Sequence, residues 1–281
     1  MTDQAPFENV SLDQVHEYWN SRPCNIRHSP KEVGTREYFD EVEARKYFVE
    51  YHIPAFAQFE RWKGKKVLEI GCGIGTDTIS FARAGAQVTA VDLTEKSLEV
   101  ARQRAKVFGF EDRVTFYQAN AEKLSEFVPV EKYDLIYSFG VIHHTPHPEA
   151  VLEQLRKYMK PETTVKIMVY YRWSWKVLWI LFSYGRGQFW KLDDLVAKYS
   201  EAQTGCPVTY SYSRRAGVKL LAEHGLRVTD VMVDHIWPYS IPDYVEYRYK
   251  RMWYWRWMPR PLFRAIERAF GWHLCLTAKP Q

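Results

Sequence analysis

The chain has 281 residues, 46% hydrophobic and 26% charged, a composition that excludes disordered and fibrous classes and suits one enlarged α/β domain with a small appendage. Its four cysteines, Cys24, Cys72, Cys206 and Cys275, form no CxxC pair, which argues against a thiolate zinc site or a disulfide framework and predicts a reducing, cytoplasmic setting. The formal net charge is +5, and residues 246–268, with seven Arg or Lys against two Glu, carry all of that excess; the balanced remainder disfavours a nucleic-acid-coating protein.

The first ten residues, MTDQAPFENV, lack a basic patch followed by an apolar run, and the most apolar stretch, 173–182, is broken by Ser174 and Lys176. Neither a signal peptide nor a spanning helix is expected. Residues 1–60 read as a helical cap with a turn around 21–34. From Val67 onward, β-rich runs alternate with helical stretches: VLEI, DTISFARAG, QVTAVDL, SLEVARQRAKVFGF, RVTFYQAN, YDLIYSFGV, EAVLEQLRKYM, TVKIMVYY, SRRAGVKLLAEHG, LRVTDVMVDHI and finally WHLCLTAK. That rhythm predicts a Rossmann-like, mostly parallel sheet of seven strands over 61–281. Two aromatic-rich inserts, about 172–212 and 237–271, interrupt its second half.

Between the first strand and the helix starting near Thr76 lies G-C-G-I-G. Glycine there permits a positive φ and a close ligand approach. A dinucleotide fingerprint would place a final glycine at 76, where Thr76 stands, so the spacing speaks against a nicotinamide cofactor. Asp92, at the end of the second strand, can accept both hydroxyls of a ribose. Glu69 is a second acid beside the loop, suited to a cationic nucleoside rather than to a pyrophosphate.

With VLEIGCGIGTDT, AVDLT, NAEKL and YDLIYSFGVIHHTPHP in this order, residues 60–170 resemble the class I S-adenosylmethionine-dependent methyltransferases, and most nearly the small-molecule branch that includes quinone-biosynthesis enzymes. The resemblance implies that Gly71, Cys72, Gly73 and Gly75 line the methionine part of the cofactor and that Asp92 holds its ribose. It further implies that Leu93 packs on adenine, that Asn120, Ala121 and Glu122 surround the base, and that Phe139 faces the cofactor. Family members commonly close the site with an N-terminal helix, which makes Tyr18 and Arg27 candidates to cover the cofactor and bind its carboxylate.

On the acceptor side, His143, His144 and His147 follow the fourth strand, where the reacting groups of open sheets gather. His143 or His144 can act as an acid–base group; packing against the cofactor and metal ligation compete, and with no acid beside the cluster no metal ligand is assigned. The inserts favour an apolar or aromatic acceptor or a partner subunit. The resulting expectation is methyl transfer from S-adenosylmethionine, with S-adenosylhomocysteine as product, to a small-molecule oxygen. A non-catalytic membrane- or RNA-binding module and a nicotinamide oxidoreductase are the alternatives. Residues 246–268 interleave cations with Trp and Tyr, a pattern suited to peripheral contact at the inner membrane face or to a packed insert.

Overall fold

A computed structural model describes residues 7, 9–200 and 206–281; residues 1–6 and 8 of the predicted cap at 1–60, and 201–205 of the first insert, lie outside the described residues. Eight strands form one sheet: β1 (Lys66–Ile70), β2 (Gln87–Asp92), β3 (Val114–Gln118), β4 (Tyr133–Phe139), β5 (Met159–Tyr171), β6 (Ser211–Tyr212), β7 (Leu226–Asp234) and β8 (His273–Pro280). The order is β3-β2-β1-β4-β5-β8-β7, with β6 beside β5. Among the described strands β8 is the reversed one, pairing antiparallel with both β5 and β7. The strand beyond the seven expected is β6, two residues inside the first insert, too short to leave an alternating pattern.

The central parallel strands β1, β4 and β5 are buried on both faces, which is why they read as apolar runs rather than alternations; β5 is buried without a break over 163–171. Successive side chains divide between two cores. Leu68, Ile70, Ile136 and Leu274 belong to one, Val67, Leu135, Tyr137 and Cys275 to the other.

The helices are α1 (Leu12–Ser21), α2 (Arg36–Val49), α3 (Ile53–Ala57), α4 (Thr76–Arg83), α5 (Glu95–Phe108), α6 (Pro148–Arg156), α7 (Trp175–Ser183), α8 (Leu192–Tyr199), α9 (Arg214–Glu223), α10 (Ile241–Val245), α11 (Trp253–Arg256) and α12 (Arg260–Phe270). Ser11 begins α1 with a capping box, its hydroxyl accepting from the Gln14 N–H while the Gln14 side chain accepts from the Ser11 N–H. Two contacts fix α1 over the start of α5: Asn20 Oδ1 accepts from the Lys96 N–H at 3.1 Å, and His16 meets Glu95 at 2.9 Å. The helix α2 is built into the body, since Tyr38, Phe39 and Val42 pack on Ile74 with Val100 and Phe108. The buried Arg104 of α5 donates to the Phe39 carbonyl at 2.7 Å and to the Thr76 hydroxyl. Both inserts are helical, α7 and α8 in the first and α10 to α12 in the second. No helix among the described residues is long and apolar enough to cross a membrane.

Candidate functional site

The chain order reverses between β1 and β4, which opens a crevice at the carboxyl ends of the strands. A cavity of about 1010 Å³ occupies this position, at the upper end of the roughly 300–1,000 Å³ typical of ligand pockets. On the β1–β2 side its wall includes 70–74, 91–94 and Asn120; on the β4–β5 side it includes Phe139, His144, Met168 and Tyr170. From α1 come Leu12, Val15 and Trp19, the i, i+3 and i+7 positions of one helical face.

The glycine loop has the conformation its composition predicts, with Gly71, Gly73 and Gly75 all at positive φ. At Gly71 the constraint is doubled, because a Cβ would lie 2.1 Å from Val141 Cγ2. Half-buried Asp92 ties this loop to the second strand. Its Oδ2 accepts from the Gly73 N–H at 2.8 Å, and its Oδ1 accepts from the Thr94 N–H at 2.9 Å and hydroxyl at 2.8 Å. These hydrogen bonds to Gly73 and Thr94 fix the carboxylate at the cavity wall. Burial raises its pKa, with the Thr94 and Gly73 hydrogen bonds opposing the shift. Leu93 packs with Val15 and Trp19. Asn120 caps a short 3-10 turn, its Oδ1 accepting from the Glu122 N–H at 2.9 Å. Ala121 also lines the cavity, whereas Glu122 turns away to accept from the His147 N–H.

Beneath the loop lies a buried polar network. Glu69 accepts from the Thr78 hydroxyl at 2.6 Å, and burial with the nearby Asp77 carboxylate pushes its pKa up to about 8. Asp77 accepts from Lys46 Nζ at 2.8 Å, from the Tyr47 hydroxyl at 2.9 Å and from the Tyr137 hydroxyl at 3.0 Å. Burial works against the charge on Lys46, but Asp77 and Glu50 hold its pKa above the usual lysine value. Glu69 is therefore neutral through most of the physiological range, ionising readily only if a cation arrives beside it.

The structure separates the two candidate histidines. His144 borders the cavity with its ring 5.1 Å from that of Trp19; its Nδ1–H donates to the Val208 carbonyl at 2.7 Å, which leaves the lone pair on Nε2. His143 lies behind it, fully buried, with its ring 3.9 Å from that of Tyr170 and neither nitrogen hydrogen-bonded among the described residues. Burial drives its pKa far down. Tyr18 and Arg27 stand outside the cavity wall. Tyr18 accepts from Arg22 Nη1 at 3.3 Å, and Arg27 is exposed, with its carbonyl accepting from the Tyr247 hydroxyl.

The far wall was not foreseen. It includes Glu50, His235, Trp237, Tyr244, Trp272 and His273, joined by Trp175 and Trp179 of the first insert. Strand direction explains the meeting: β7 ends at Asp234, and antiparallel β8 begins at His273 opposite both Asp234 and Tyr170. The first residue of β8 thus arrives at the same sheet edge as the last residues of the parallel strands. Only the aromatic density of the inserts hinted at this wall.

A family model described as a methyltransferase domain matches residues 62–206. Among curated proteins, a ubiquinone biosynthesis O-methyltransferase of Vibrio cholerae is 39% identical over 98 residues, 35% of this chain and 39% of that protein. The enzyme of the same name from Idiomarina loihiensis is 41% identical over 99 residues, again covering 35% and 39%. The chain thus spans about two fifths of the length of these relatives. Among solved structures, magnesium protoporphyrin IX methyltransferase from Synechocystis PCC 6803 with bound SAH superposes with a TM-score of 0.61 at 17% identity, over 96% of this chain and 100% of that one. Geranyl diphosphate C-methyltransferase from Streptomyces coelicolor gives 0.59 at 14% identity, over 99% of each. The glycine loop, the acid at the end of β2 and a family match across just over half of its length place the chain among the methyltransferase domain proteins.

Proposed function

We propose that the protein transfers a methyl group from S-adenosylmethionine to an oxygen of an apolar or aromatic small molecule, releasing S-adenosylhomocysteine. The observation that carries this reading is the single cavity of about 1010 Å³ reaching from the glycine loop and Asp92 to an aromatic wall, large enough for a nucleoside donor and a second molecule together. In this reading Gly71, Cys72 and Gly73 hold the methionine part, while Gly75 shapes the turn against Ala101 outside the cavity wall; Asp92 holds the ribose, Leu93 and Asn120 to Ala121 the base, and Phe139 the methyl-bearing end. Asp77 supplies negative potential beneath the sulfonium, joined by Glu69 once the cation beside it favours its ionised form.

The reaction is a direct displacement, with the acceptor oxygen in line with the sulfonium methyl at about 3–3.5 Å, so positioning provides most of the rate. Oxygen as acceptor rests on the O-methyltransferase relatives matched across the donor half. His144, which borders the cavity, is the candidate base; His143 supports it by packing. The test combines calorimetry with S-adenosylhomocysteine and tritium transfer from labelled S-adenosylmethionine into fractionated small-molecule extracts. Label in an organic-soluble product supports the reading. Homocysteine-nucleoside binding without transfer to any fraction favours the non-catalytic module, and NADH binding by fluorescence favours an oxidoreductase.

A second reading concerns the surface: residues 246–268 touch an anionic membrane. Trp253 and Trp257 are 79% and 81% exposed on either side of α11, beside exposed Arg256 and Arg260. Arg248 and Lys250 are paired with Asp243, and Arg264 with Asp234, so fewer cations are available than the sequence suggests. Co-sedimentation with anionic vesicles at low salt, lost in a variant carrying Arg251→Glu, Arg256→Glu and Arg260→Glu, supports this contact. Equal sedimentation of both proteins removes it.

A further inference from the structure

At the far wall of the cavity one ligand atom from each of Glu50, His235 and His273 lies within 4.8 Å of the others. The three come from unrelated places: the C-cap of α2, the residue after β7 and the first residue of β8. Gly271 makes the approach possible, because a Cβ there would sit 2.2 Å from the Asp234 carbonyl oxygen; with none, the Trp272 N–H reaches the His235 carbonyl at 2.7 Å. His235 is held at a φ of 72°, a conformation non-glycine residues seldom adopt.

One nitrogen of each imidazole is engaged by a neighbour, which leaves the other for an ion. His273 Nδ1 is 3.0 Å from His52 Nε2, and in the tautomer where Nδ1–H donates, the Nε2 lone pair is directed to the side where Glu50 Oε1 lies at 3.8 Å. Two ligands on one tetrahedral ion at about 2.0–2.1 Å are roughly 3.3–3.4 Å apart, so this pair needs to close by a few tenths of an ångström. His235 is hydrogen-bonded to the Val49 carbonyl, while its buried Nδ1 has no hydrogen-bond partner among the described residues. His52 orients His273 as an outer-shell partner orients a ligating imidazole.

We propose that Glu50, His235 and His273 form a binding site for one divalent transition-metal ion of the zinc type, with an open coordination position facing the cavity. His52, His235 and His273 are all buried, which favours the neutral form that ligates. Lys46, Lys176 and Arg264 are the cations nearest these rings. Lys46 is paired with Asp77 and Arg264 with Asp234 and Glu267, so the donor set decides: two imidazoles and one carboxylate favour ions that bond strongly to imidazole over magnesium or calcium.

Resting on the methyl-transfer reading, the open position would take the acceptor oxygen. An ion-bound hydroxyl releases its proton to water more easily. The oxygen lone pair then forms the new C–O bond, and the electrons of the broken S–CH₃ bond remain on sulfur. Ether, S-adenosylhomocysteine and one proton result.

The test uses the full chain after chelator treatment and dialysis, titrated with Zn²⁺ by calorimetry and with Co²⁺ by visible absorption, and with S-adenosylhomocysteine on the same samples. One equivalent of Co²⁺ with the intense absorption of a four-coordinate site, altered by added azide, is expected. His235→Ala together with His273→Ala should abolish this binding, and Glu50→Gln should weaken it tenfold or more, each with S-adenosylhomocysteine affinity within a few-fold of wild type as evidence of folding. Should the double variant not fold, Glu50→Gln decides alone. Failure of the wild type to bind either metal, or undiminished binding by the variants, overturns the site. Failure to bind S-adenosylhomocysteine instead overturns the methyl-donor reading and leaves the metal result standing.

Discussion

The two walls of the cavity were assembled in different ways. On the proposed reading, the donor wall comes from consecutive strand–loop–helix units between Lys66 and His144, each placing a cavity-lining residue at or just beyond the end of a parallel strand: Gly71 after β1, Asp92 ending β2, Asn120 after β3 and His144 after β4. The acceptor wall takes Trp19 from α1, Glu50 from the end of α2, Tyr170 from β5, His235 from the loop after β7 and His273 from antiparallel β8. A site built at successive strand ends is local in sequence. A site closed by an antiparallel strand and by inserts is not.

If the donor wall is a rigid, locally encoded cradle, its most constrained residue should be the least tolerant. Gly71→Ala places a side chain in the left-handed region and against Val141; the two penalties, about 1–3 kcal/mol each, should weaken S-adenosylhomocysteine binding roughly 100-fold or more. Near-normal binding measured by calorimetry would break the picture of a rigid loop. Asp92→Ala comes next. Removing a charged acceptor costs about 1.5–3 kcal/mol, or roughly 10- to 150-fold in affinity. Asp92→Asn should recover part of the loss, since Oδ1 can still accept from Thr94. An alanine variant that binds as tightly as wild type would remove Asp92 from the ribose site.

This contrast also explains what could be read in advance. The glycine spacing and the acid at 92 report backbone conformation and charge at strand ends, both fixed within a few residues, and the structure puts them together at one crevice. The resemblance points to an N-terminal helix over the site but not to which of its faces, and Tyr18 and Arg27 stand outside the cavity wall. The helical period of α1 instead turns Leu12, Val15 and Trp19 inward, a pattern that was present in the sequence as i, i+3, i+7 spacing. Glu122 was displaced by a local demand, accepting the His147 N–H. For Glu50, His235 and His273 nothing local distinguishes them, because their meeting depends on the reversal of β8 and on the close approach at Gly271.

The boundary between the walls falls at the adjacent histidines, and their separate replacement sharpens it. Once an acceptor is known, His144→Ala should lower kcat by about 100-fold with S-adenosylhomocysteine affinity within a few-fold. His143→Ala should act mainly on stability, because His143 is packed on Tyr170 behind the wall. Equal kcat losses in the two variants would erase the distinction, and unchanged kcat in both would return the pair to packing.

The smallest expected effect tests the electrostatic floor of the donor wall. Glu69 has a folded pKa near 8 against an ordinary 4.5, chiefly through burial and then through Asp77. Between those values the folded chain retains a proton that the unfolded chain has released, so the contribution to stability is complete below about pH 4.5 and declines as pH rises through 8. Glu69→Gln keeps a neutral group beside Thr78 at every pH. Its thermal midpoint should nearly match wild type at pH 5 and exceed it increasingly toward pH 8, by more than about 1 kcal/mol, or a few degrees for a chain of this size. Parallel curves for the two proteins would mean that Glu69 is ionised throughout. A bound sulfonium should lower this pKa, whereas the uncharged thioether of S-adenosylhomocysteine should not. At pH 7, calorimetry in buffers of different ionisation enthalpy should therefore find more proton release with S-adenosylmethionine than with S-adenosylhomocysteine, and the Glu69→Gln variant should lose that difference. If the variant keeps it, the proton comes from elsewhere, and Glu69 is only the packed end of β1.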